Sequence, residues 1–201
     1  MSGDGVSRSF KQALFWIQKA ADQGEAKAQW NLGALYISGG EGLKQDLKQS
    51  FAWCQKSADQ GFVAAMATLG VLYSRIKKHD QAILWWSKAA DQGDPEAQYN
   101  LAVMYAKGQG LDRDISRAFE WFQKAAVHGV VQAQARLGLM YATGEGVAVD
   151  PIEAHKWFIL AGENGDKASQ SNCDRSETLI GIAQLAEGRR RASEWKNTRF
   201  I

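Results

Sequence analysis

Apolar positions along the chain recur at steps of three and four residues, the period of an amphipathic helix. Phe119, Phe122 and Ala126 lie on one such stripe, with Trp121 and Ala125 beside them. Ala28, Leu32, Leu35 and Tyr36 form a second. Both patterns repeat. "WIQKAADQG" from Trp16 returns as "WCQKSADQG" from Trp53, "WWSKAADQG" from Trp85, "WFQKAAVHG" from Trp121 and "WFILAGENG" from Trp157. The closing glycines, Gly24, Gly61, Gly93, Gly129 and Gly165, are spaced by 37, 32, 36 and 36 residues. Between them run "LGALY" from Leu32, "LGVLY" from Leu69, "LAVMY" from Leu101 and "LGLMY" from Leu137. Each of these places its Tyr 12 residues after the preceding glycine.

The pattern predicts pairs of helices. Gly after the first phrase suits the left-handed residue that closes a helix. Inside the second phrase stand Gly33, Gly70 and Gly138, with Ala102 in the third unit. An interior glycine costs up to ~1 kcal/mol against alanine, so its return predicts close approach of a neighbouring helix. The alanine pairs Ala20-Ala21, Ala89-Ala90 and Ala125-Ala126 are the expected partners, with Trp and Tyr filling wider gaps. "GGEGLKQD", "GQGLDRD" and "GEGVAVD" join the helices of most units, and Asp46, Asp114 and Asp150 are natural N-caps at their ends. The second unit has "YSRIKKHD" instead, which accounts for the short spacing. One hairpin cannot bury its apolar face, but stacked copies can. An all-α solenoid follows.

Composition narrows the function. The 201 residues are 45% hydrophobic with a net charge of +2, which argues against disorder and gives no basic face for nucleic acid. Cys54 and Cys173 are too few for a disulfide framework and read as buried free thiols. No run approaches the ~20 apolar residues of a membrane span, and "MSGDGVSRSF" is not a secretory signal. A cytoplasmic location is the default expectation, periplasmic or secreted if a signal peptide was removed. His79, His128 and His155 fall in different units, with His155 expected on an exposed helix surface. The glycine loops lack the Lys-Ser/Thr of a phosphate-binding loop and the alternating acids of a calcium loop. No Ser-His-Asp or Cys-His arrangement stands out. No catalytic residue, metal ligand or cofactor is expected, and the protein reads as a non-enzyme.

The pattern "A-x-x-W-x-x-K-A-A-x-x-G" followed by "A-x-A-x-x-x-L-G-x-M-Y-x-x-G-x-G-V-x-x-D" resembles the Sel1-like repeat family, relatives of tetratricopeptide repeats with a glycine-rich insertion. The resemblance covers about residues 5 to 175. It implies a right-handed superhelix of repeats over 1–175, in units of about 5–24, 25–61, 62–93, 94–129 and 130–165. A C-terminal capping helix and tail would occupy 176–201, on a stripe of Ile182, Leu185, Ala186, Ala192 and Trp195. "GDGVSRSFKQALFW" aligns with "GEGLKQDLKQSFAW", so the array starts mid-unit: its first helix is either an N-terminal cap or the start of a piece cut from a longer protein.

By the same resemblance, the "LG-x-M-Y" helices line a concave groove. Its expected surface is Lys27, Trp30, Ala34 and Ile37; Ala64, Ala67, Val71 and Ser74; Glu96, Tyr99, Val103 and Ala106; and Gln132, Ala135, Leu139 and Ala142, with Asn31, Asn100 and Arg136 at the edge. Trp30 and Tyr99 stand where the other units have alanine, and are either binding anchors or packing residues. The implied function is a monomeric, non-catalytic scaffold or adaptor that binds a protein or peptide, in one version an immunity protein neutralising a bacterial toxin or effector. A cell-wall hydrolase is the weak alternative. A membrane-surface adaptor using the basic run "GRRRASEWK" is another.

Overall fold

Backbone chemistry at the repeated glycines sets the architecture. Gly24, Gly61, Gly93, Gly129 and Gly165 all adopt φ between 87° and 96°, the left-handed region expected of them. At Gly129 the amide donates to Ala126 O at 2.9 Å and Val130 N to Ala125 O at 3.1 Å, which closes one helix and turns the chain into the next.

The computed structural model describes residues 4–40 and 42–198; the last tail residues, 199–201, lie outside the described residues. A first compact unit runs up to Asp94. It holds α1 (Asp4–Asp22), α2 (Ala26–Ser38), α3 (Leu47–Asp59), α4 (Val63–Arg75) and α5 (His79–Asp91). A second unit starts at Pro95. It holds α6 (Pro95–Lys107), α7 (Ile115–Val127), α8 (Val131–Thr143), α9 (Pro151–Glu163), α10 (Lys167–Leu179) and α11 (Ile182–Thr198). No strand occurs among the described residues, and each unit stacks helical hairpins in chain order, as an α-solenoid does. The hairpins are α2/α3 and α4/α5 in the first unit, α6/α7 and α8/α9 in the second. Both α10 and α11 pack on α9. The segment that aligns with a glycine loop, around Gly5, is instead continuous with α1.

Capping follows the sequence closely. Asp46 accepts from Lys48 N and Gln49 N, Asp114 from Arg117 N, and Asp150 from Ile152 N and Glu153 N. Where a Lys stands three residues after the phrase Trp it lies over that indole: Lys56 is 4.1 Å from the Trp53 ring centroid, Lys88 4.4 Å from Trp85 and Lys124 3.9 Å from Trp121. Buried glutamines add what the pattern did not announce. Gln29 donates to Ala21 O at 3.2 Å and Gln134 to Ala126 O at 3.3 Å, satisfying carbonyls at the end of the preceding helix.

The interior glycines do mark close approach, but their partner is not the alanine pair. A Cβ on Gly138 would lie 2.5 Å from Cδ1 and Cε1 of Phe158, and one on Gly70 2.4 Å from Cδ1 and Nε1 of Trp86. Gly33 faces Cys54 in the same register. In these three layers the residue after the phrase's Trp is thus the knob, and the glycine is its hole. The alanine pairs are largely buried, with Ala89, Ala125 and Ala126 in the core. In the second unit that core gathers Ala102, Phe122, Val130, Leu137, Met140 and Trp157.

Two further expectations are corrected. The α11 stripe is centred on Gly188 and Ala192, both buried, with Trp195 6.0 Å from Trp157. Ile182, at the start of the expected stripe, is 87% exposed. His155 is not exposed but fully buried, since its face of α9 is covered by α10 and α11.

Candidate partner-binding groove

On α6, Tyr99, Val103 and Ala106 are spaced by four and three residues and share one face; Ala135, Leu139 and Ala142 do the same on α8. Side by side in the second unit, these faces form a cavity of about 440 Å³ walled by Tyr99, Val103, Ala106, Ala135, Arg136 and Leu139. Gln132 is also on its wall, and Lys107 and Asp166 bring charges of opposite sign. A second cavity of about 430 Å³ shares Leu139 and continues over Ala142, Val149, Phe158 and Leu179. The apolar surface therefore runs from α6 to α10.

Tyr99 is half-buried, its ring 5.7 Å from that of Phe122. Burial, reinforced by Glu96 and opposed by Arg136, pushes its hydroxyl pKa up, so it stays a neutral donor. Arg136 is held by Glu145 at 2.9 Å, which also reaches Arg113 at 3.4 Å. Glu96 and Asn100 lie on α6 but are not on the cavity wall.

The first-unit candidates divide. Trp30 donates its indole N–H to Thr68 Oγ1 at 3.0 Å and packs 5.6 Å from the Phe62 ring, which ties α2 to the layer of α4. Lys27 and Val71 are exposed, while Asn31, Ala34 and Ile37 are partly so. The basic run offers no free cation patch: Arg189 pairs with Glu177, Arg190 with Glu187 and Glu194, and Arg191 with Glu187 and Glu153.

A polar cluster that the sequence reading missed lies between α9 and α10. His155 Nδ1 is 2.6 Å from Ser176 Oγ and 3.9 Å from Cys173 Sγ. The signal was register. His155 occupies the place of Phe119, 36 residues earlier, and Cys173 and Glu177 the places of Leu137 and Tyr141. In this setting neither dyad is an activated nucleophile: burial pushes the Cys173 thiol up and holds His155 below the ordinary histidine range. Glu177 opposes the shift on His155 and Arg189 reinforces it.

The His155 shift has a sign that can be measured. Its folded pKa is depressed, and the unfolded histidine titrates near ~6.5. As pH falls through ~6.5 the unfolded chain binds more protons, so stability is lost, by at most ~1.4 kcal/mol per pH unit. With chelator present, the urea midpoint is expected to drop between about pH 7.5 and 5.5, and His155→Phe to flatten that drop. An unchanged slope in the variant would assign the effect to other groups.

Comparison with known proteins fits this geometry. The Sel1 repeat model matches residues 1–25, 26–62, 63–94, 95–129 and 131–166. A protective antigen of uropathogenic Escherichia coli strains, displaying an SLR fold, is 35% identical with a TM-score of 0.84. The match covers 91% of this chain and 40% of the antigen, so the chain spans well under half of that protein's length. A Sel1 repeat protein from Oxalobacter formigenes is 30% identical over 94% of this chain and 78% of its own, with a TM-score of 0.78. No curated protein matches. With five repeats matched across the helical pairs described above, the chain belongs to the Sel1 repeat family.

Proposed function

We propose that the protein is a non-catalytic scaffold that holds a protein segment in the groove of its second unit, and that this segment belongs to a bacterial effector which the scaffold neutralises. Sel1 repeat proteins generally mediate protein–protein interaction. The observation that carries the reading here is the groove itself. An aromatic anchor, Tyr99, stands on a floor of Val103, Ala135 and Leu139, with Arg136 and Lys107 at its margin. Aromatic and arginine side chains in such a setting are the usual hot spots, and small apolar neighbours leave room for an inserted helix or extended peptide.

The test is capture of effector-type enzymes by wild type, Tyr99→Ala and Trp30→Ala proteins of equal helicity. The expected result is a partner bound by wild type and Trp30→Ala, and weakened by roughly 2 kcal/mol or more in Tyr99→Ala. Inhibition of the captured enzyme should fall in parallel. Equal capture by all three proteins would move binding off the groove.

A further inference from the structure

We propose that His155, Cys173 and Glu177 form a binding site for one divalent transition-metal ion, with Zn²⁺ the best match to the ligand set. The inference is independent of the groove. A ring nitrogen, a thiol sulfur and a carboxylate oxygen from these three residues all lie within 4.8 Å of one another. Tetrahedral zinc, bonded at ~2.0–2.1 Å to nitrogen and ~2.3 Å to sulfur, sets its ligand atoms roughly 3.6 Å apart. The Nδ1–Sγ distance is already 3.9 Å. Closing the rest falls to Glu177, whose side chain is 41% exposed. Cys173 and Glu177 are one helical turn apart on the same face of α10, and His155 meets them from α9.

Two observations separate this cluster from an ordinary buried histidine. The first is hydrogen bonding. Buried histidines normally have both ring nitrogens satisfied, yet Nε2 of His155 is buried with no partner among the described residues. Nδ1, the nitrogen 3.9 Å from Sγ, would exchange Ser176 for the metal, which leaves Nε2 to carry the ring N–H. Ser176 is itself fixed, donating to Cys173 O at 2.7 Å. Arg189 engages only Oε1 of Glu177, which leaves the second carboxylate oxygen for the ion. The second observation is register. At the equivalent places two earlier layers hold an edge-to-face aromatic pair, Phe119 on Tyr141 at 5.4 Å and Phe51 on Tyr73 at 5.0 Å. In the last layer His155 and Glu177 replace that pair, and Cys173 replaces the leucine. Exchanging apolar packing for buried polar groups is costly unless something satisfies them. Nitrogen, sulfur and oxygen donors together suit Zn²⁺ better than Mg²⁺ or Ca²⁺, which take oxygen alone. On binding, the Cys173 thiol bond to hydrogen breaks, the thiolate bonds the metal, and the proton leaves to solvent.

The full chain, stripped with chelator and kept reduced, is titrated with Zn²⁺ by calorimetry and with Co²⁺ by absorbance. The expected result is one ion per chain, a thiolate-to-cobalt charge-transfer band, and tetrahedral d–d bands. Cys173→Ser should abolish the charge-transfer band and weaken binding by roughly 100-fold, and Glu177→Gln should weaken it by about tenfold. A triple variant, His155→Phe, Cys173→Leu and Glu177→Tyr, restores the residues of the earlier layers. It should stay folded and bind no metal, so loss of binding cannot be loss of fold. Failure of wild type to bind either ion, or equal affinity in the triple variant, overturns the site. So does a charge-transfer band that survives Cys173→Ser and disappears with Cys54→Ser.

Discussion

Phe122→Ala is expected to cost the second unit about 3–5 kcal/mol, the range for removing a fully buried aromatic ring. Phe122 is 2% exposed and lies in the register of the knob that enters the neighbouring helix, opposite Ala102. Its ring also supports Tyr99 at 5.7 Å and shares the core with Leu137 and Met140. Ala102 already fills the hole that glycine leaves open elsewhere, so the cavity has little to collapse onto. In a repeat array each layer contacts only its neighbours. The loss should therefore fall on α6–α8 first, seen as early exchange of amide hydrogens there and a lower urea midpoint. A loss below ~1 kcal/mol would mean that the layers close over the gap.

Gly138→Val is expected to destabilise by about 2 kcal/mol, from the opposite cause. Its Cβ would stand 2.5 Å from the Phe158 ring, and two methyl groups beyond it have no room. Overpacking of this kind costs ~1–3 kcal/mol. The helix propensity gained on losing glycine returns under ~1 kcal/mol. The diagnostic is coupling. Phe158→Ala made alone opens a cavity, but in the Gly138→Val background it also relieves the clash. The double variant should then be more stable than the sum of the two losses by ~1 kcal/mol or more. Strict additivity would show that the valine is accommodated elsewhere.

Local backbone chemistry made most of the fold legible in sequence. A glycine eight residues after the Trp of each phrase, and an aspartate at the end of each glycine loop, each dictate one conformation, and both take it. The groove face was expected from the family resemblance, and the helix period is what sets Tyr99, Val103 and Ala106 on one side of α6. What was not legible depends on contacts between helices. Trp30 satisfies its N–H on Thr68, 38 residues away, and no pattern within α2 reveals that. The interior glycines were paired with the wrong partner, because close approach can be read from sequence but the side chain opposite cannot. His155 was judged as a lone histidine on a helix surface. Aligned against Phe119, it belongs to a layer whose apolar residues change together.

The hairpin of α4 and α5 closes through Ile76, Lys77 and Lys78, with Lys77 at φ 59°, where the others span Gly39–Asp46, Gly108–Asp114 and Gly144–Asp150. Both forms bring the same two helices together. Connector length is thus a free variable of this scaffold. Doubling a loop costs only ~0.6 kcal/mol in closure entropy, so a lineage can extend or trim these segments without renegotiating the stack beneath. The loops are where such a protein can diversify fastest, and where a grafted recognition sequence would be best tolerated.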